Sequence, residues 1–561
     1  MVNVKNLFGM AVMATALVGC SSNDNLAPDG KDNAGKPGEA YASFTINLPT
    51  TTGNGTRGDE PVVKDGTPSF AEGTAAEYEV KNGTILIFDN AGNFVTSAQL
   101  GTMNPWTPVK KDGVTTAAIT TVQLSGVSVG GDYQALVLLN NDVDATTSKV
   151  TLPTTGDTYA EWSKKTSKVN AEKYASTDGI FMANAPMYTG TTTEPTTLVP
   201  IANVCASREE AQAKAATTVY VERGLAKVTM QNFTAGGYTV AEGTYKGDKV
   251  EIKNWQLDVT NKSTFPVHQI GGTGFAAIWS TPRFYDGGNQ SFKRVYWGVD
   301  PNYSGATLQN LEACKNAFTM IGKNDIKGET GNDHPQYCLE NTFDLANMMQ
   351  GQTTRVVFKA VFTPKDFTTG QTFYKIGNNT AIWDATKLAQ QIHTVAVTAM
   401  GITDAAEREN YVVKLDASTN NISGTAGLHT ITAANIEYKG TGTSLVAANI
   451  DKINEKLGLK ETGISTYLNG EAYYIARIKH FNGLTPWTAG EGYGTANDKY
   501  LGRYGVLRNN WYDLSVNSIS GLGYPDIPEV KPDVPDDENE QYINVEVKIL
   551  DWAKRSQSID L

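Results

Sequence analysis

Cysteine and histidine are scarce in this sequence, which has 4 cysteines and 5 histidines in 561 residues. It contains no Cys-x-x-Cys or His-x-x-x-His pair, so the common signatures of a zinc site are missing and we expect neither a metal nor a cofactor. Apart from Cys20 near the N-terminus, the cysteines are Cys205, Cys314 and Cys338. These three are far apart in the sequence and odd in number, which argues against a disulfide framework. We expect buried free thiols, with a bridge between Cys314 and Cys338 as the alternative. The histidines are interpreted as strand or loop residues.

Basic residues are outnumbered, since 47 Lys and Arg against 59 Asp and Glu give a net charge of −12. Such a chain lacks the basic surface that binds nucleic acid, and we predict no nucleic-acid partner. Internal apolar runs stay well below the roughly 20 residues of a transmembrane helix. The chain is nevertheless long enough for about two to four domains with sizeable cores.

Recognisable catalytic motifs are also missing. GVSVG at 126–130 has the spacing of a nucleophile elbow, which requires a strand before the serine and a helix after it. The apolar strand YQALVLLNN follows at 133–141 instead, so Ser128 is interpreted as a turn residue. Glycine-rich segments at 271–274 and 490–494 lack the spacing and context of a dinucleotide-binding loop. We predict that the protein is not an enzyme.

The N-terminus, in contrast, carries a clear pattern, that of an export signal. Lys5 precedes an apolar stretch at 7–18, and Gly19-Cys20 and a polar segment follow. The ending Leu-x-Gly-Cys resembles a bacterial lipobox. This resemblance implies that residues 1–20 are a lipoprotein signal peptide and that Cys20 is acylated, for example with palmitate. The alternative is an ordinary signal peptide with an incidental cysteine.

Short strands separated by turns dominate the chain from residue 41. YASFTINL at 41–48 alternates, which places Ala42, Phe44, Ile46 and Leu48 on one face. TILIFDNAGNFV predicts a hairpin with an Asn/Gly turn. Further strands are predicted in YQALVLLNN, TVYVERGLAKVTMQNF, WQLDVTN, TTRVVFKAVFTP, HTVAVTAM and AYYIARIKHF.

Two short helices interrupt these strands. Ser207 and Glu210 form the pattern of a capping box at the start of the first helix. NIDKINEKLG predicts the second, with Ile450, Ile453 and Leu457 on one face and a glycine as its end.

The strands do not alternate with long helices, so the predicted fold class is all-β with a few short helices. We predict two β-sandwich domains, at 58–222 and 223–523. The segment 524–541 is rich in Pro, Asp and Glu, which predicts a flexible acidic linker that cannot pack a core. The segment 542–561 then begins with a strongly alternating strand, YINVEVKILDW, for which the sequence indicates no partner in its own domain.

The acidic residues of the linker could also bind calcium weakly. They lack the alternating ligands and glycine of an EF-hand loop, so we interpret them as solvated. The residues concerned are Asp533, Asp536, Asp537, Glu538 and Glu540.

Four blocks of the sequence resemble the fimbrillins, the type V pilins of Gram-negative anaerobes. They are VERGLAKVTM at 221–230, YCLENT at 337–342, VLRNNWYDLSVNSISGLGYP at 506–525 and the terminal INVEVKILDWAKRSQSIDL. The greatest similarity is to the shaft subunit of minor fimbriae. It extends from the lipobox to the last residue, and only these blocks are specific.

The resemblance implies two transthyretin-like β-sandwich domains and a C-terminal donor strand. It also implies export as an outer-membrane lipoprotein precursor and a mature form in extracellular fimbriae, which mediate cell adhesion and biofilm formation. An arginine-specific protease would cut between Arg57 and Gly58, which lie in a polar loop after the first strand. Residues 21–57, a propeptide that contains this strand, would then leave. The other partners implied are further copies of the chain in a head-to-tail filament, and anchor and tip pilins.

In such a filament the C-terminal strand of one subunit fills the groove that the departing strand leaves in the next. Two segments with the same alternation can occupy one groove in the same register. The sequence therefore predicts a donor strand with Ile543, Val545, Val547 and Ile549 and a displaced strand with Ala42, Phe44, Ile46 and Leu48. The alternative is that the C-terminal strand folds back onto its own sheet as an edge strand.

Two other interpretations remain. Arg57-Gly58-Asp59 is also the integrin-type adhesion tripeptide, which occurs by chance in exposed loops. The chain could instead be a monomeric surface lipoprotein that binds glycan or a host ligand through the aromatic residues Trp487, Tyr493 and Trp511. An unpaired C-terminal strand is explained by strand exchange between subunits and has no role in a monomeric binding protein. The sequence therefore favours the pilin.

Overall fold

The computed structural model describes residues 39–49, 74–101, 107–111, 114–141, 149–165, 167–168, 171–175, 179–186, 196–270, 297–303, 308, 310–344, 347–460, 462–480, 500–536 and 543–550. Over these residues the protein is all-β with a few short helices, as the sequence predicted.

The N-terminal part of the described chain is built around one large sheet. Its strands are β1 (Glu39–Pro49), β2 (Gly83–Asp89), β3 (Phe94–Gln99), β4 (Thr107–Lys111), β5 (Val114–Ser125), β6 (Tyr133–Leu139), β7 (Ser167–Lys168), β8 (Met182–Asn184), β9 (Val199–Pro200) and β10 (Thr217–Arg223). Its helices are α1 (Ala75–Tyr78), α2 (Tyr159–Trp162), α3 (Ala171–Tyr174) and α4 (Arg208–Ala213).

Nine of these strands form the sheet, in the order β3-β2-β6-β8-β10-β1-β5-β4 with β9 beside β6. Apolar residues of β2 and β6 share one core with residues of β1, β5 and β10, so the sheet folds over onto itself. The hairpin of β2 and β3 is confirmed, and its turn uses Gly92 at φ +82°. The predicted N-cap is also present, since Ser207 accepts a hydrogen bond from the Glu210 amide at the start of α4.

The C-terminal part begins two residues after β10. Its first elements are β11 (Ala226–Met230), β12 (Tyr238–Thr239), β13 (Lys249–Asp258), β14 (Thr260–Asn261), β15 (Ser263–Thr264), α5 (Leu311–Ala317), β16 (Phe318–Thr319), β17 (Gln336–Cys338) and β18 (Arg355–Thr363). The chain thus changes sheet between Arg223 and Ala226.

A separate lobe follows between β18 and the next long strand. It contains β19 (Phe373–Ile376), β20 (Ile382–Trp383), α6 (Ala385–Ala399), α7 (Ala405–Arg408), β21 (Tyr411–Val413), β22 (Asp416–Ala417), β23 (Asn420–Asn421), β24 (Gly427–His429), β25 (Ile436–Tyr438), α8 (Val446–Lys456) and β26 (Ile464–Tyr467). α6 and α8 pack on this lobe's own apolar core, which includes Leu388, Ile392 and Ile453.

The last strands return to the C-terminal part. They are β27 (Glu471–Arg477), β28 (Trp511–Ile519) and β29 (Ile543–Leu550). Two four-stranded sheets result, in the orders β17-β11-β28-β29 and β12-β13-β18-β27. Their shared core contains Val228 and Leu514 from the first sheet and Trp255, Phe358 and Tyr474 from the second, so this part is a β-sandwich.

One predicted strand is a helix. HTVAVTAM, at 393–400, forms the second half of α6, and His393 is therefore helical. Its Val and Thr residues favour a strand, but Leu388, Ile392 and Ala396 recur every four residues and are buried on one face. Asp384 caps the helix by accepting a hydrogen bond from the Lys387 amide.

Candidate functional site

β1 lies inside the N-terminal sheet, with a neighbour on each side. It pairs in parallel with β10, where Phe44 is opposite Thr217, and antiparallel with β5, where Phe44 is opposite Thr120. We call the space that β1 occupies the groove. If β1 were absent, the facing edges of β5 and β10 would each lose their partner.

The apolar face of β1 is completely buried. Its alternating residues are 0% exposed and belong to the core that β2 and β6 also line; they are Ala40, Ala42, Phe44, Ile46 and Leu48. The alternation in the sequence predicted that four of these residues would share one face. Because each large apolar side chain contributes about 1.5–3 kcal/mol when buried, this face holds β1 firmly in place.

The opposite face of β1 is covered too, which sequence reasoning missed. α4 lies over it, and the Ser43 hydroxyl donates a hydrogen bond of 2.8 Å to the carbonyl oxygen of Ala211. The same hydroxyl lies 2.8 Å from the hydroxyl of Thr121 on β5. Arg208 donates a hydrogen bond to the Thr121 carbonyl and stacks at 5.7 Å from the Tyr41 ring. The groove therefore has an apolar wall and a polar wall.

The chain between β1 and α1 contains the predicted cut. Arg57 and Gly58 lie outside the described residues, as does Cys20 with the whole of 1–20. Among other predicted features, Trp487, Tyr493 and the two glycine-rich segments also lie outside them.

The first described element after the predicted cut, α1, is anchored by a buried ion pair. The Lys227 ammonium lies 2.6 Å from Glu77 Oε1, and both side chains are almost fully buried. The Tyr337 hydroxyl donates to the same carboxylate at 2.6 Å, and Arg223 Nε donates to the Glu77 carbonyl oxygen at 2.8 Å. Burial by itself raises the pKa of Glu77, but Lys227, together with hydrogen bonds from Tyr337 and the Thr74 amide, more than offsets it and holds the pKa below its ordinary value. α1 is thus tied to β11 and β17 of the C-terminal sandwich.

The predicted linker is docked over most of its length, which corrects the expectation of a flexible segment. We call residues 524–536 the strap. Tyr524 exchanges two backbone hydrogen bonds of 2.8 Å with Tyr473 on β27, and Val530 is buried in an apolar cluster with Cys314 and Phe318. The composition was misleading because the strap builds no core of its own; it covers one that other elements have formed.

Polar contacts fix the strap at its middle and its end. The buried Arg355 donates to the Pro528 carbonyl oxygen at 2.8 Å and to Asp258 at 2.8 Å. Asp536 is buried, with its carboxylate accepting from the Thr353 hydroxyl at 3.1 Å and its amide donating to the Met348 carbonyl. Asp536 is therefore a structural residue here. Of the other acidic residues of the predicted linker, Asp533 is exposed. Asp537, Glu538 and Glu540 lie outside the described residues.

The C-terminal strand does have a partner in its own domain, which corrects a second expectation. β29 pairs antiparallel with β28 at the edge of the sandwich. The four predicted donor residues are opposite buried residues of β28: Ile543 opposite Ile519, Val545 opposite Val516, Val547 opposite Leu514 and Ile549 opposite Tyr512. The single chain thus keeps β1 and β29 in different sheets.

The remaining predicted residues have structural roles. Cys205, Cys314 and Cys338 are buried free thiols, as expected. Ser128 lies in the turn region between β5 and β6. Trp511 is 5% exposed and donates to the Thr229 hydroxyl, so it is not the exposed aromatic platform that a glycan-binding site requires.

Within the described ranges, no group of three or more His, Cys, Asp or Glu side chains is placed to hold a metal ion. None of the helices in these ranges is both long enough and apolar enough to span a membrane.

Comparison with known families gives one match. Residues 465–558 match the fimbrillin C-terminal family, described as major fimbrial subunit protein type IV. The matched region contains β27, β28, the strap and β29. The C-terminal part of the chain is thus similar to the fimbrillins. Comparison with curated protein sequences gives no match.

Solved structures give weak similarities. A candidate cell adhesion protein from Parabacteroides distasonis ATCC 8503 aligns with a TM-score of 0.36 and 10% identity, over 92% of this chain and 98% of that one. A fimbrial assembly protein from the same organism aligns with a TM-score of 0.29 and 12% identity, over 58% of this chain and 85% of that one. A candidate adhesin from Bacteroides ovatus aligns with a TM-score of 0.17 and 10% identity, over 40% of this chain and 57% of that one.

Proposed function

We propose that the protein is the shaft subunit of a cell-surface fimbria that polymerises by donor-strand exchange. In this proposal the precursor is exported as an outer-membrane lipoprotein through Cys20 and is cut between Arg57 and Gly58. It then assembles with copies of itself and with anchor and tip pilins into fimbriae that mediate adhesion and biofilm formation. The fimbrillin match over residues 465–558 supports the fimbrial role.

The observation that carries the proposal is the position of β1. This strand is interior to its sheet, and it precedes the predicted cut between Arg57 and Gly58, so that cut would make it part of a separate peptide. Its departure would leave two unpaired sheet edges beside an apolar wall. Unpaired edges of this kind accept an added strand through main-chain hydrogen bonds.

Energetics favours replacement of β1 over simple loss. Burial of Phe44, Ile46 and Leu48 contributes roughly 5–9 kcal/mol at about 1.5–3 kcal/mol each, so a cut β1 stays until another strand competes for the groove. β29 in the single chain has one neighbour, β28, whereas a strand in the groove has two. Each additional ladder hydrogen bond adds about 1 kcal/mol net. The exchange therefore gains backbone hydrogen bonds for the donor.

The test is cleavage of the purified precursor by an arginine-specific protease. We expect a new N-terminus at Gly58 by sequencing, followed by filaments in electron microscopy. Arg57→Ala should remain uncut and monomeric, whereas Lys64→Ala, seven residues further along the chain, should behave like the natural chain. Normal filaments from Arg57→Ala that retain residues 41–57 would contradict the proposal.

A further inference from the structure

The polar wall of the groove makes specific demands at the position of Ser43 in β1. Ser43 is only 7% exposed, and its hydroxyl contacts both the Ala211 carbonyl oxygen and the Thr121 hydroxyl, each at 2.8 Å. A residue that takes this place must be small enough for a buried site. It must also offer a hydrogen-bond donor to the Ala211 carbonyl, because a buried acceptor without a donor is costly.

Only some residues of the C-terminal strand meet these conditions. If its apolar residues keep the apolar wall, the residues that can reach the place of Ser43 are Tyr542, Asn544, Glu546 and Lys548. A tyrosine overfills a site built for serine. A carboxylate from Glu546 would meet the Ala211 carbonyl, which is another acceptor, and an ammonium from Lys548 would be buried without a counter-charge.

Asn544 is the residue that fits. Its side-chain amide both donates and accepts hydrogen bonds, so it can donate to the Ala211 carbonyl and pair with the Thr121 hydroxyl in either direction. In the same register Val545 takes the place of Phe44 and Val547 that of Ile46. Glu546 takes the place of the partly exposed Thr45, where a carboxylate reaches water. Lys548 takes the place of Asn47, which is 9% exposed, and its long stem can carry the ammonium to the surface.

We propose that Asn544 occupies the place of Ser43 in the neighbouring subunit and so sets the register of the donor strand. This inference rests on the donor-strand exchange proposed above. The polar wall then selects one register out of those that the apolar alternation allows, because a slip of two residues in either direction brings Tyr542 or Glu546 to the same site.

The test is disulfide mapping in filaments of the full-length chain. Ser43 is directly opposite Thr121 in the antiparallel pair, so a residue in its place lies within disulfide reach of that position. Chains with Thr121→Cys and Asn544→Cys, cleaved, polymerised and oxidised with diamide, should give a covalent ladder in non-reducing gels. Thr121→Cys with Glu546→Cys should not, and either substitution alone is the control for the natural thiols.

Each other outcome has a definite meaning. A ladder from Thr121→Cys with Glu546→Cys, or from Thr121→Cys with Lys548→Cys, would overturn the register. Filaments that form without a ladder in any pair overturn the assignment to this groove. If the cleaved natural chain forms no filaments, donor-strand exchange itself fails, and the register fails with it.

A second measurement separates the hydrogen bond from simple bulk. Asn544→Ser keeps a donor and should polymerise at a rate close to that of the natural chain. Asn544→Leu has nearly the same size but no donor, and we expect polymerisation to slow by about tenfold, the usual consequence of one unmet buried hydrogen bond. Equal rates for the two variants would overturn the role of the polar wall.

Discussion

Glu77 and Lys227 form an ion pair of 2.6 Å in which both side chains are almost fully buried. Glu77 belongs to α1, the first described element after the proposed cut, and Lys227 belongs to β11, the first strand of the C-terminal part. The pair thus holds α1 in place independently of β1. Departure of β1 would leave α1, and the junction between the two parts, intact.

Glu77→Gln should lower the free energy of unfolding by about 3 kcal/mol at pH 7, because it removes the carboxylate that is paired with the buried Lys227 ammonium. The pKa of Glu77 in the folded protein lies below the ordinary value of 4.5, so the ionised carboxylate stabilises the fold above that pH. This stabilisation is lost as the pH falls through 4.5 and further toward the lowered pKa. The difference between the natural chain and Glu77→Gln in urea denaturation should therefore shrink in acid.

Glu210→Gln is the matched control, since Glu210 pairs with Lys214 at 2.7 Å on the surface. Exposed pairs of this kind contribute little, so we expect no clear change in stability at either pH. Equal destabilisation by the two variants would show that the buried pair has no special role.

The sequence predicted those features that repeat along the chain. Alternation over β1 and β29 identified both strands and the buried face of β1, because burial of one sheet face imposes a period of two. Sequence patterns did not predict the contacts that join residues far apart in the chain. Neither Glu77 with Lys227 nor Ser43 with Ala211 has a local signal. The prediction of a flexible linker at the strap was wrong for a related reason. Composition indicates whether a segment can form a core of its own, but it does not indicate whether the segment covers the core of another element.

Lipidation of Cys20 is the prediction that decides location. Cys20→Ser should lose incorporation of labelled fatty acid and surface display, because the thiol is the acylation site that the lipobox offers. Cys205→Ser is a suitable control, since this buried thiol should not be acylated in the natural chain. Unchanged outer-membrane fractionation of Cys20→Ser would refute the prediction.

Val545→Asp together with Val547→Asp should abolish filaments while a folded, cleaved monomer remains. Two carboxylates on the apolar side of the donor strand would have to leave water and lie against the apolar wall of the groove. Burial of unpaired charges in this way is strongly unfavourable. The monomer survives because β29 is an edge strand with one neighbour in its sheet. Electron microscopy and circular dichroism measure the two effects.

The control changes the same strand on its other side, with Glu546→Thr and Lys548→Thr. These substitutions keep the apolar alternation and should leave filaments intact. If the aspartate variant still polymerises, another segment is the donor.

Docking of the strap limits how far the C-terminal strand can travel. Measured from Tyr524, the chain to Ile543 could span about 65 Å, but measured from Asp536 it spans about 25 Å, at roughly 3.4 Å per residue. The contacts of Val530, Arg355 and Asp536 therefore set a fixed departure point close to the sandwich. We expect the amides of Tyr524 and Asp536 to exchange slowly with deuterium in the intact monomer, because both donate to backbone carbonyls.

Val530→Asp with Asp536→Ala should release the strap, because it places a charge in the apolar cluster and removes the bond to Thr353. The amides of 524–536 should then exchange rapidly, and filaments should still form, since the donor strand and the groove are unchanged. Those filaments should be more flexible, with a shorter persistence length in electron micrographs, because the longer tether fixes neighbouring subunits less well. Lys531→Ala, on the exposed side of the strap, should change neither property. Rapid exchange across 524–536 in the natural monomer would contradict a docked strap and remove the basis for the difference in stiffness.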